Sequence, residues 1–378
     1  MTPASKHILI AGGGPAGALC GERLARAGFR VTLLEERRGW EKPCGGGVTW
    51  KTLARYPFLL DAGVEKNLVR KAELIAANGR RVRFALSRPI ALYSRAVLNE
   101  FLLRRAEAAG CAVVPARVTA ACPNGRARLR TTAGEFSGDF LVIATGARNS
   151  LALEGDGWRP GARDLEQTVG YYLPGKDDRL RVRFLDDFEG YLWSFPRAGH
   201  LSVGVCGKLH QNSSAGLREK LHRFLEAEGL SRAGGVFYSH LLPSLARRSW
   251  NRLPLGGPGW ARVGDAAGLV DPITGEGIYY ALRSGELLAE TLLAGDPMSY
   301  RARVEEEILP ELRCAARWQP SFYRGRWLGQ STPTRMVQAL GCSARFRRLT
   351  DDLFAGSQGY RGLTWRLLGT LWAAPRTD

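Results

Sequence analysis

Both ends of the chain carry helical periodicity, the first of them alternating with short apolar runs that end in glycine, while strand-like stretches dominate the middle. At the start, His7–Ala11 (HILIA) is an apolar run that breaks at Gly12, Gly13, Gly14, Pro15, Ala16 and Gly17. A helical pattern follows over 15–27 and stops at Gly28, and Arg30–Leu34 (RVTLL) is a second buried strand ending at Glu35. Residues 140–144 (FLVIA) form another buried strand, and 260–264 (WARVG) a late one. The late strand runs into Asp265 and a glycine-rich turn. A long helix then opens, with Ile278, Ala281, Leu282, Leu288 and Leu292 on its apolar positions, and closes before Gly295 and Pro297. Between these ends the pattern predicts strands at 169–173, 180–185, 191–195, 201–206 and 236–242, with one helix near 215–228.

The order strand, glycine turn, helix, strand, acid has the logic of a dinucleotide site. Gly12 allows the tight turn, Gly14 lets a pyrophosphate approach the backbone, and Gly17 permits close packing of helix on strand. Glu35, 23 residues after Gly12, is placed to accept from a ribose diol. The second strand-end acid, in GDAAGLVDPITGEGI, suits a longer cofactor than NAD. In FAD the ribityl chain offers hydroxyls to Asp265, and the helix after Gly275 and Gly277 stabilises negative charge on a reduced flavin.

Composition narrows the class. With 378 residues, 45% hydrophobic and 24% charged, the chain is expected to be globular, in about two domains. No apolar run approaches the ~20 residues of a membrane span. The N-terminus runs into a strand without a cleavable signal pattern, so a cytoplasmic address is expected. Seven cysteines without a CxxC pair argue for reduced thiols and against a metal site. The net charge of +18 is uneven: +13 over residues 1–150, −1 over 151–300 and +6 over 301–378. No zinc-finger spacing, RNP-like stretch or lysine tail accompanies it, so a nucleic-acid partner is not expected. A phosphorylated ligand, an anionic membrane surface and a plain arginine bias remain as explanations.

The segments GGGPAG with Glu35, Lys42-Pro43-Cys44-Gly45-Gly46-Gly47, Tyr93-Ser94-Arg95-Ala96-Val97-Leu98, GDAAGLVDPITGEGI and the YxWxFP-like Tyr191-Leu192-Trp193-Ser194-Phe195-Pro196 together resemble the geranylgeranyl reductase family. That family sits among flavoproteins built like para-hydroxybenzoate hydroxylase, and the likeness runs from about residue 7 to 295. The resemblance implies an α/β fold: a Rossmann-like FAD-binding domain (1–63, 93–153 and 253–295), an inserted sheet-rich substrate domain (64–92 and 154–252) and a helical C-terminal region (296–378). It implies FAD contacts from Gly12, Gly14, Ala16, Gly17, Glu35, Arg95, Val118, Asp265, Gly275, Gly277 and Ile278, and passage of Cys44, Gly45 and Gly47 close to the flavin ring. Cys44 would tune the flavin or help deliver a proton; otherwise it is a packing residue in a glycine loop.

Tyr191, Trp193 and Phe195 alternate and so share one strand face. With Pro196 they are expected to wall an apolar tunnel for an isoprenoid, unless they are ordinary sheet core. His200, His210 and His240 are candidate proton donors, although lone histidines on strands or loops are more often structural. One departure concerns electron supply. Hydroxylases of this group follow the 140–144 strand with an Asp-Gly that helps bind NADPH, whereas this chain has Thr145-Gly146, which argues against direct NADPH docking and points to another reductant, such as a ferredoxin-like protein or a reduced quinone.

The implied activity is an FAD-dependent reductase of isoprenoid double bonds. The alternatives are a flavin monooxygenase or halogenase, a non-redox flavin-dependent isomerase or cyclase, and a flavoprotein without catalysis. In the tail, Trp318, Trp327, Trp365 and Trp372 are interleaved with arginines. That suits peripheral contact with anionic lipid, or a helical cap on the cofactor domain.

Overall fold

The structure, a computed structural model, describes residues 6–61, 63–123, 125–147, 160–253 and 255–372. The expected domain boundary at 153/154 and the side chain of Trp372 lie outside the described residues. The chain divides into two compact units, residues 1–42, 95–165 and 241–312 in one, and 43–94, 166–240 and 313–378 in the other. Residues 43–63, expected with the cofactor domain, group with the second unit, because strand Gly47–Val48 pairs with Leu92 and Ala91 at the edge of its sheet. The tail also divides, at 312/313, instead of forming one region.

The first unit is built on a six-stranded sheet. Strands Trp260–Arg262, Phe140–Ile143, His7–Ala11, Arg30–Leu34 and Ala112–Val114 are parallel in that order, and Gly256–Gly257 adds an antiparallel edge beside Trp260–Arg262. HILIA and FLVI are buried at every position, as strands covered on both faces must be. Leu9, Ala11, Leu34, Leu141 and Ile143 form the core on one side, together with Leu129 of an antiparallel three-stranded sheet (Val118–Cys122, Ala127–Thr131, Gly134–Gly138). Helices Pro15–Arg26, Arg95–Ala108 and Ile278–Leu293 complete the unit.

The second unit is an eight-stranded sheet ordered Val236–Pro243, Leu165–Leu173, Leu201–Lys208, Gly190–Pro196, Leu180–Arg183, Asn67–Ile75, Arg81–Leu92 and Gly47–Val48. Helix Ser214–Ala227, N-capped by Ser213 Oγ, covers one face and buries Leu217, Leu221, Phe224 and Leu225 against Val203, Val205 and Leu192. The tail serves both units: helix Tyr300–Glu307 packs on the cofactor unit, where Arg303 pairs with Glu290 of helix Ile278–Leu293, whereas helix Ala344–Ala355 lies on this eight-stranded sheet. Phe354 meets Phe84 edge-on at 5.7 Å, and Asp351 accepts from the main-chain N–H of Ser87 at 3.0 Å. The periodicity of a capping helix shows that it has an apolar face but not which sheet receives it. No helix among the described residues is long and apolar enough to cross a membrane.

Candidate functional site

The glycine turn of the first unit is shaped by close approach. Gly12 has φ +109°, and a Cβ there would stand 2.4 Å from the Ala144 carbonyl oxygen; at Gly17 it would stand 2.0 Å from Gly12 O. Gly14 is the opposite case, since nothing lies within 4 Å of the position its Cβ would take. It is also the N-cap of helix Pro15–Arg26, which has no side-chain cap and no acid in its first turn. A helix start that is open and uncapped, with its N–H groups directed outward, is a phosphate cradle. Glu35 accepts from Gly13 N at 2.7 Å and from Arg37 N at 2.9 Å, so strand end and turn hold each other. A carboxylate offers about four acceptor sites, and two main-chain bonds leave room for a diol.

The remaining cofactor-side residues lie in the same unit. Arg95 opens its helix and is 4% exposed; its Nη2 donates to Asn99 at 3.2 Å, while its buried Nε has no partner among the described residues. A buried guanidinium nitrogen left this way fits an anionic ligand. Ala16 is buried between helices, its carbonyl oxygen 2.3 Å from where a Cβ on Gly285 would sit. Asp265 Oδ1 lies 3.2 Å from the Cβ position of Gly277, the N-cap of helix Ile278–Leu293, so carboxylate and helix start face the same place. The loop between them is ordered by Asp271, which the sequence reading passed over. Its Oδ1 accepts from Ile273 N and Thr274 N, and its carbonyl accepts from Gly275 N. Val118 pairs with Thr131 at the start of the small sheet. Thr145 follows the Phe140–Ile143 strand and is half-buried. These residues fit FAD: a cradle for the pyrophosphate, an orphaned arginine nitrogen, and an acid beside a helix N-terminus.

The second unit gathers the other predicted residues. Cys44 is half-buried, and its Sγ accepts from Gly46 N at 3.3 Å. Its carbonyl accepts from Ser202 Oγ at 3.0 Å and from Arg197 Nη2, while Arg197 Nε reaches Gly45 O at 3.4 Å. Arg197 is 2% exposed, and its guanidinium lies 5.0 Å over the Tyr172 ring. Ser202 Oγ also meets Tyr238 OH at 3.2 Å and Trp193 Nε1 at 3.4 Å. Burial pushes the Tyr238 phenol well above its ordinary range, so it stays a neutral hydrogen-bonding group.

The alternation expected for Tyr191, Trp193 and Phe195 is present. Their rings follow one another at 5.9 and 6.4 Å, and Trp193, Cys206 and Tyr238 make a small core with Tyr172 against it. Paired glycines make room for it: a Cβ on Gly204 would meet the Trp193 ring at 2.4 Å, and one on Gly170 the Tyr238 ring at 2.2 Å. Trp193 is therefore a buried floor, with Tyr191 and Phe195 half-exposed at its margins. Pro196 is buried, and its carbonyl accepts from Asn67 Nδ2 at 2.8 Å. Gly45 lies directly on Phe195, 2.6 Å from its Cδ2 to a built Cβ, and Gly47 is 3.9 Å away by the same measure. Of the three histidines, His200 Nε2 sits 3.4 Å from Arg197 Nη1, His240 is buried in strand Val236–Pro243, and His210 is exposed. Arg197, Ser202 and Tyr238 escaped the sequence reading. The one signal was a basic residue directly after YLWSFP.

A family model described as an FAD binding domain matches residues 5–147. The chain is 29% identical over 337 residues to chloroplastic geranylgeranyl diphosphate reductase of Oryza sativa subsp. japonica, covering 80% of this chain and 69% of that one. It is 27% identical over 393 residues to digeranylgeranylglycerophospholipid reductase 2 of Methanothermobacter thermautotrophicus, covering 92% and 88%. Among solved structures, a geranylgeranyl bacteriochlorophyll reductase-like protein of Thermoplasma acidophilum superposes with a TM-score of 0.78 at 20% identity, covering 97% of this chain and 99% of its own. That last likeness is one of fold.

Proposed function

We propose that this chain, an FAD-dependent oxidoreductase of the geranylgeranyl reductase type, saturates carbon–carbon double bonds of an isoprenoid. The curated relatives support the substrate class through the prenyl compounds in their names. The observation that carries the reading is the clamp on the Cys44 loop: a buried arginine and a serine, the serine itself held by a tyrosine, fix two consecutive carbonyls of a glycine loop that lies on the aromatic strand Gly190–Pro196. A loop that only filled space would not need a buried cation to set its peptide planes.

FAD, when bound and reduced, supplies hydride to one alkene carbon. The protein's residues do the rest. Tyr191, Phe195 and the floor at Trp193 and Pro196 offer apolar area to a prenyl chain and exclude water from it. Cys44, whose sulfur accepts from Gly46 N–H, would move the proton to the other alkene carbon. On the cofactor side, Gly14 and the helix it starts bind the pyrophosphate, Arg95 meets its charge, and Glu35 and Asp265 take hydroxyls of the two sugar-like ends. Gly275 and Ile278 stand beside Gly277 at the second helix start, and Val118 would meet the adenine end through its main chain. Thr145 brings no carboxylate to the position where hydroxylases have one, which favours an electron-donor protein such as a ferredoxin over direct NADPH docking.

The test uses the holoprotein, reduced anaerobically with dithionite and mixed with geranylgeranyl diphosphate. Return of the oxidised flavin absorbance, with a product two hydrogens heavier per bond reduced, is the expected result. Reoxidation only on admission of oxygen, or a product of unchanged mass, overturns the proposal.

A further inference from the structure

Lys42 has no part in the chemistry above, yet its Nζ stands 2.7 Å from Asp265 Oδ2, with both side chains largely shielded at 20% and 13% exposure. Asp265 follows Gly264, whose built Cβ would lie 3.2 Å from Ala16 Cβ in the first turn of the phosphate-cradling helix. The other oxygen of Asp265, Oδ1, faces Gly277 at the second helix start. Next to Lys42, the Glu41 carboxylate accepts from Arg95 N at 2.8 Å and Ala96 N at 3.2 Å, and so caps helix Arg95–Ala108. Two consecutive residues thus tie the segment after Glu35 to two separate cofactor-side elements, one at Arg95 and one at Asp265.

We infer that Lys42 is a cofactor-positioning residue that acts through Asp265. A carboxylate near an anionic pyrophosphate repels it, and an ammonium in contact with that carboxylate cancels the repulsion. Glu41 keeps the start of the Arg95 helix in place while Lys42 sets the acid. The inference rests on FAD binding and not on the isoprenoid substrate, so failure of the substrate assay leaves it standing.

The test is release of FAD from the diluted holoprotein, followed by the rise in free-flavin fluorescence. Lys42→Gln is expected to release FAD about tenfold faster than the native chain, and Lys42→Arg less than about threefold faster. In an Asp265→Asn background the added Lys42→Gln should change release by less than about twofold, since the charge it cancelled is gone. The flavin midpoint potential of Lys42→Gln should move in the negative direction, because an uncancelled carboxylate disfavours an anionic reduced flavin. Lys42→Met, which keeps the aliphatic stem, repeats the test if the glutamine variant is unstable. Unchanged release and potential in a folded Lys42 variant overturn the inference, as does an equal tenfold effect in the Asp265→Asn background.

Discussion

Arg197, 2% exposed, donates to the main-chain carbonyl of Cys44 through Nη2 and to that of Gly45 through Nε. One planar fork spans two adjacent peptides, which a lysine ammonium does not reproduce. The carbonyls are thereby turned inward, and the Gly46 N–H is left facing the sulfur. Arg197→Met is expected to lower turnover at least about tenfold while FAD content is kept, and Arg197→Lys to give little rescue. Assay of flavin content and prenyl reduction on the same preparations checks this; full rescue by lysine would reduce the arginine to a charge.

Cys44 itself is tested by Cys44→Ser. The hydroxyl still accepts from Gly46 N–H, so the loop keeps its shape and FAD is retained. The alcohol is a far weaker acid than the thiol, and the substrate half-reaction slows while reduction of the flavin by dithionite does not. Equal rates in both half-reactions for the native and serine forms remove Cys44 from the chemistry.

Gly12 and Gly14 are two residues apart and are expected to fail differently. A methyl at Gly12 meets the Ala144 carbonyl at 2.4 Å from a positive φ, so Gly12→Ala should destabilise the fold by ~2 kcal/mol or more. At Gly14 a methyl meets no protein atom, so Gly14→Ala should unfold at the native temperature without cofactor and yet bind FAD about tenfold more weakly, the methyl occupying phosphate space. Thermal melts with and without FAD separate the two. Equal FAD affinity in Gly14→Ala would take the pyrophosphate away from this helix start.

These contrasts show what a linear reading detects. The turn at Gly12–Gly17, the acids Glu35 and Asp265 and the alternating Tyr191, Trp193 and Phe195 were legible because local geometry imposes their spacing. Arg197 was not, since its partners are carbonyls 152 and 153 residues away, and a carbonyl has no letter in the sequence. Lys42 stands in a motif that gives no sign of its role, because its partner is 223 residues distant. The paired Gly170 and Gly204 that admit the Tyr238 and Trp193 rings belong to strands whose register only the folded sheet reveals.

His7 gives a pH-dependent signature. Its imidazole is held below its ordinary value of about 6.5, first by burial, then by Arg30 and Arg126, against raising contributions from the Ser137 main chain and Asp139. Nε2 meets Thr32 Oγ1 at 2.9 Å inside the parallel sheet. As pH falls below about 6.5 the unfolded chain binds a proton that the folded chain refuses, so stability declines until the folded value is passed, and is flat above the window. His7→Gln should remove this slope while acid-side losses from carboxylates persist. Parallel denaturant titrations of native and variant proteins between pH 5 and 8 measure it, and identical slopes would show that His7 does not report this linkage.

The second unit exposes large apolar side chains. Trp365, Leu328 and Trp327 are 78, 75 and 55% exposed, and Leu328 is held at φ +49° in the turn between strands Arg326–Trp327 and Gln330–Ser331. A soluble surface does not need two tryptophans so open to water, and tryptophan beside arginine is the composition of a lipid interface. Arg324, Arg326 and Arg366 are at least half exposed, although each also has an acidic partner, Glu189, Asp187 and Asp352. Apolar contact should therefore carry more of the binding than charge does. The chain should float with phosphatidylglycerol-containing vesicles at low salt, keep part of that binding in high salt, and lose most of it when Trp327, Leu328 and Trp365 are replaced together by alanine. Loss of all binding in high salt would assign the contact to the arginines alone, and failure to float at low salt would end the membrane proposal.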